Sequence, residues 1–113
     1  MKLNHLNLTV TDVAASSGFL QKYFGLKPMP WGDGKISFLT DDNGMVIAVF
    51  PGQDASYPAS FHIGFIQDTE LTVNEINQRL RDDGFDIKAP MRFHGSWTFY
   101  VKAPGGFMVE VMC

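Results

Sequence analysis

Pro104-Gly105-Gly106-Phe107-Met108-Val109-Glu110-Val111-Met112-Cys113 places one carboxylate inside a run of apolar side chains. The paired glycines read as a turn and the residues after them as a strand. Alternation then puts Phe107, Val109 and Val111 on one face and Met108, Glu110 and Met112 on the other. A carboxylate in an apolar strand is costly unless it is exposed, hydrogen-bonded, or paired with a cation or metal ion. The rest of the chain is therefore read for groups able to meet Glu110.

At 113 residues the chain is long enough for one core and too short for a second independent one, so a single domain over 1–113 is expected. With 45% hydrophobic and 19% charged residues the composition is that of an ordinary soluble domain. The formal charge of -3, with no lysine or arginine run, argues against nucleic acid or an anionic membrane as partner. Met1 to Asn4 lead directly into a strand-like pattern, without an apolar signal core or a transmembrane-length stretch. A cytoplasmic protein is expected. The single cysteine, Cys113, has no intrachain partner and reads as a free terminal thiol.

Leu3 to Val10 alternate, with Leu6, Leu8 and Val10 on one face and His5, Asn7 and Thr9 on the other. Thr11-Asp12 offers a helix cap, Val13, Ser17, Leu20 and Phe24 an apolar stripe, and Gly25 a stop. The Pro28 to Gly34 segment reads as a short strand and a turn, Ile36–Thr40 as a strand, Asp41 to Gly44 as a turn, and Met45–Phe50 as a strand. The second half starts again with an alternating strand, Ser60–Ile66. A capping box of Thr72 with Glu75 and a hydrophobic staple of Leu71 with Ile76 then open a helix carrying Val73, Ile76 and Leu80, which Gly84 stops. Met91 to Gly95 reads as a loop, and Trp97–Lys102 and Phe107–Met112 as closing strands. Each half is a strand, a helix and about three more strands, giving module 1 over about 1–51 and module 2 over about 59–113.

Aligning the halves puts His5 on His62, Gly25 on Gly84, and Asn43-Gly44 on Gly105-Gly106. Counting on from those glycines, Ala48 falls on Glu110. Strand parity sets His5, His62 and Glu110 opposite the bulky apolar residues of their strands. If the helices cover the apolar faces, two imidazoles and one carboxylate line the other, concave face and converge where the two sheets meet.

Two such modules, with His at the start of each and Glu in the last strand, resemble the vicinal oxygen chelate superfamily. It includes glyoxalase I, extradiol dioxygenases, fosfomycin-resistance thiol transferases and bleomycin-resistance proteins. Ala103 to Glu110 is similar to the family's closing turn and strand. The resemblance implies an α+β fold in which two βαβββ modules pair their sheets into a cupped half-barrel. It implies a divalent metal ion (Fe, Mn, Zn or Ni) held by His5, His62 and Glu110, and a homodimer. The fourth ligand of glyoxalase-like members, Glu or Gln, falls on Ala48 and is missing, which speaks against ordinary glyoxalase I chemistry.

Two imidazoles and one carboxylate leave open positions on an octahedral ion, or one on tetrahedral zinc, where a small-molecule substrate's oxygen could be polarised. His94 is the candidate acid, base or anion contact at the cavity mouth. Arg92 is a candidate for a substrate carboxylate or phosphate. Trp31, Phe38, Phe50, Trp97, Phe99 and Tyr100 supply aromatic surface for a pocket, the core or a dimer interface. Neither Gly32-Asp33-Gly34 nor Gly105-Gly106 makes a phosphate loop, because no helix start with the required lysine follows. The leading expectation is a metal-dependent enzyme acting on small oxygenated molecules. The alternative is a metal-free, ligand-sequestering protein of bleomycin-resistance type.

Overall fold

In the first strand, β1 (His5–Val10), Leu8 and Val10 are fully buried while His5, Asn7 and Thr9 are exposed, as the alternation requires. The structure, a computed structural model, describes every residue from Met1 to Cys113. Helix α1 (Val13–Phe24) starts at Asp12, whose carboxylate accepts from the Ala15 N–H at 2.9 Å. It ends at Gly25, which takes the left-handed conformation (φ 69°) open to glycine and directs its N–H to the Gln21 carbonyl. The buried side of α1 is Ser16, Ser17, Phe19, Leu20 and Tyr23, which keeps Ser17 and Leu20 of the expected stripe but not its ends, Val13 and Phe24. Phe19 and Tyr23, with ring centroids 5.3 Å apart, turn inward and carry more apolar area than Val13, which stays half-buried with Phe24.

The chain continues through β2 (Lys27–Pro28), β3 (Ser37–Thr40) and β4 (Val46–Pro51). Between β3 and β4 the Asp41 carboxylate accepts from the N–H groups of Asn43 and Met45, and Gly44 takes a positive φ of 82°. The sheet order is β1-β4-β3-β2, with β1 parallel to β4 and the remaining pairs antiparallel. Helix α1 packs on β3 and β4.

The second module repeats this with β5 (His62–Ile66), α2 (Glu70–Asp82), β6 (Met91–Phe93), β7 (Ser96–Lys102) and β8 (Met108–Met112), in the order β5-β8-β7-β6. Its helix starts a turn earlier than the capping box at Thr72 suggests. Thr69 is the N-cap, its hydroxyl accepts from the Thr72 N–H at 3.1 Å, and Glu70 adds a negative charge in the first turn. Leu71 is left 65% exposed, so the expected staple does not form. Thr69→Ala is therefore expected to destabilise the protein by about 1 kcal/mol, and Glu75→Ala to stay within about 0.5 kcal/mol, in urea denaturation. The stripe of Val73, Ile76 and Leu80 is buried as expected and packs α2 on β7 and β8.

Met91 to Gly95 is not a loop. Met91–Phe93 pairs with β7, Phe93 opposite Ser96, across the two-residue turn His94-Gly95. Both turn residues have positive φ, 49° and 86°, which matches the right-handed twist of a tight hairpin. A histidine in place of the usual Asn or Asp is what hid this turn in the sequence.

The chain divides into two compact units, 1–57 with 104–106 and 58–103 with 107–113. The β7–β8 turn belongs to the first. A Cβ at Gly105 would stand 2.5 Å from Ser16 Oγ and 2.6 Å from Val10 Cγ1, so only glycine fits there. No helix is long and apolar enough to cross a membrane.

Candidate metal site

The alternation in β8 buries Val109 and Val111 completely and leaves Met108, Glu110 and Met112 half-buried on the face away from α2. Glu110 pairs with Gly64 on one side and Tyr100 on the other. Gly64 has no side chain, and a Cβ there would meet nothing within 4 Å. Space beside the carboxylate is thus left for His62, two residues earlier on β5 and on the same face. His62 Nε2 lies 3.3 Å from Glu110 Oε2.

Both side chains are held from behind. His62 Nδ1 lies 3.0 Å from the Ser60 carbonyl, and since a carbonyl only accepts, that nitrogen carries the proton and Nε2 is the atom presented to Glu110. Thr98, buried on the same face, shares its hydroxyl proton between Glu110 Oε1 at 2.9 Å and the Val111 carbonyl at 3.0 Å. Tyr100 stands edge-on to the His62 ring, centroids 5.6 Å apart. Partial burial, then the Glu110 carboxylate as acceptor and as negative charge, raise the Tyr100 pKa above its usual value of 10.0, so the phenol keeps its proton.

The donor set suits a divalent ion. Two ligands at about 2.0–2.2 Å from one ion, at cis-octahedral or tetrahedral angles, stand about 2.8–3.6 Å apart. The 3.3 Å separation falls in that range and is long for an N–H···O hydrogen bond. An imidazole whose other nitrogen is bound to a backbone carbonyl, beside a carboxylate fixed by a hydroxyl, is the usual support of first ligands.

His5 belongs to the other unit, where it is exposed on β1 with Nδ1 2.7 Å from Asn4 Oδ1. The register repeats: His5 pairs with Val46 as His62 does with Met108, and Ala48 lies between Asn7 and Phe38 as Glu110 lies between Gly64 and Tyr100. Ala48 is thus the structural counterpart of Glu110, and the first module supplies an imidazole without an acid. The single chain brings His62 and Glu110 together and gathers no group of three histidine, cysteine or acidic side chains able to hold an ion.

His94 sits exposed at the hairpin tip, its ring 4.0 Å from that of Phe93, and six residues before Tyr100, roughly 20 Å along the strand. The structure does not bring it to the pair. Arg92 points to the α2 side, where it pairs with Glu70 and lies over the Trp97 ring at 5.7 Å, so its guanidinium is engaged in holding β6 and β7 to the helix. Trp97 donates to Asn74 Oδ1 at 2.8 Å on that side, and Phe99 is core. Thr98 was not singled out in the sequence. Its parity with Tyr100, on the strand paired to Glu110, was the available signal.

The Glyoxalase/Bleomycin resistance protein/Dioxygenase superfamily model matches residues 2–111. Among solved structures, one described as a possible glyoxalase from Bacillus cereus is 46% identical, with 100% of this chain and 99% of that chain covered and a TM-score of 0.94. The fosfomycin resistance protein FosX from Listeria monocytogenes is 22% identical, with 99% and 92% covered and a TM-score of 0.83. Lactoylglutathione lyase from Agrobacterium tumefaciens, also 22% identical, covers 98% and 92% with a TM-score of 0.78. These last two share the fold. No curated protein matches the sequence.

Proposed function

Because the chain belongs to the Glyoxalase/Bleomycin resistance protein/Dioxygenase superfamily, we propose that it is a divalent-metal-dependent enzyme acting on a small oxygenated organic substrate. His62 and Glu110 are two of the ligands, with His5 as the proposed third. One observation carries this reading: an imidazole and a carboxylate, each fixed from behind, face one another at ligand separation on the sheet face away from α2. The description of the 46% identical structure as a possible glyoxalase supports an enzyme.

The bound ion supplies Lewis-acid polarisation of a substrate oxygen. Thr98 fixes the Glu110 carboxylate so that its second oxygen stays turned toward His62. Tyr100 keeps its proton beside Glu110 and is the proton donor at hand, a role for which His94 lies too far away in the β6–β7 turn. The protein acts as a homodimer, supported by the edge strands β1 and β2 of one sheet and β5 and β6 of the other. The free thiol of Cys113 suits a reducing, cytoplasmic setting.

A metal-free binding protein of bleomycin-resistance type is favoured by one fact, that an imidazolium at His62 would pair with Glu110 without an ion. Calorimetric titration with Mn(II) or Zn(II) separates the two. The enzyme reading expects about one ion per chain and an affinity lower by at least about a hundredfold in His62→Ala. Absence of binding, or equal binding by the variant, rejects it.

A further inference from the structure

The hollow beside His62 is bounded by Tyr100 and Met108, and those two residues are also the near wall of a groove of about 450 Å³. The groove runs away from the metal pair between β7, β6 and the 86–89 segment. Its volume is about three times the roughly 150 Å³ that encloses a benzene ring. Met91 and Phe93 line it and are 54% and 47% exposed, large apolar side chains on a strand face that no helix covers.

Its charge is just as specific. Lys88 and Lys102 line the groove with Asp86 as the only acid, and neither ammonium is engaged by a carboxylate. Lys102 is opposite Met108 and therefore diagonal to Glu110, about 7–8 Å away across the strands and within reach of a long side chain. Two lysines against one aspartate match a single negative charge better than two. With Arg92 turned to the helix side, no guanidinium is available to grip a phosphate bidentately.

Resting on the metal reading of His62 and Glu110, we propose that the substrate is a carboxylate-bearing molecule with an apolar, ring-sized body. Its reacting oxygens lie at His62 and Glu110, its body lies on Tyr100 and Met108, and its carboxylate is held by Lys102. Lys102 is then a specificity-determining residue of the same site.

Benzohydroxamate and 4-carboxybenzohydroxamate test this by calorimetry on the Mn(II)-supplemented protein, since both offer adjacent oxygens and only one carries a carboxylate across the ring. The wild-type protein is expected to bind the carboxylated probe about tenfold tighter, one charge-assisted hydrogen bond. Lys102→Met, which keeps the apolar stem, should erase that preference and leave benzohydroxamate affinity unchanged. Equal affinities in the wild type, or a preference that survives Lys102→Met, overturn the proposal, while benzohydroxamate binding that disappears in His62→Ala leaves the metal reading standing. If Mn(II) binds and neither hydroxamate does, the substrate proposal falls and the metal reading stands; if Mn(II) does not bind, both fall.

Discussion

Glu110→Gln is expected to lower divalent-metal affinity by at least about a hundredfold, close to 3 kcal/mol, while the fold stays intact. Glutamine has the same shape and can still accept from Thr98, which now holds Glu110 Oε1 at 2.9 Å, so the loss reports the charge alone. A second readout has a defined sign. The Tyr100 pKa is raised by partial burial first and by the Glu110 carboxylate second, so removing the negative charge should bring it down toward 10.0, seen as phenolate absorbance appearing at lower pH. Unchanged metal affinity would show that Glu110 is only a structural acceptor for Thr98 and Tyr100.

Phe107→Ala is expected to be the most destabilising single change, about 3–5 kcal/mol in urea denaturation. Phe107 is 0% exposed just after the β7–β8 turn, and its carbonyl accepts from the Ala103 N–H at 2.9 Å, so the cavity would open beneath the strand that carries Glu110. A domain of this size has about 5–15 kcal/mol in total, so the variant should be partly unfolded at physiological temperature. Met108→Ala, one residue on and facing the other way, should cost about 1 kcal/mol. A cost below 1 kcal/mol for Phe107 would reverse the assignment of faces in β8.

Period-two alternation made the two faces of β1, β5 and β8 legible, because alternate side chains are buried in β1 and β8, and half-buried in β5, while those between them are more exposed. The repeat was legible for the same reason, and the equivalence of Ala48 and Glu110 follows in the register to the residue. What stayed hidden depended on the choice between competing local conformations. The start of α2 rests on Thr69 rather than on the better-looking Thr72, and the inward turn of α1 on packing of Phe19 and Tyr23. The β6–β7 hairpin was missed because His94 adopts a conformation usually left to Asn, Asp or Gly. Of the site, His62 and Glu110 were visible as polar residues at matched positions, whereas Thr98 and Tyr100 acquire their roles only through the β7–β8 register.

The central claim is that His62 and Glu110 hold one ion. Anomalous diffraction from crystals soaked in Zn(II) tests it directly. The account predicts a strong peak about 2.0–2.2 Å from both His62 Nε2 and a Glu110 carboxylate oxygen. Zinc bound elsewhere, with that imidazole and carboxylate still facing each other undisturbed at 3.3 Å, would contradict it.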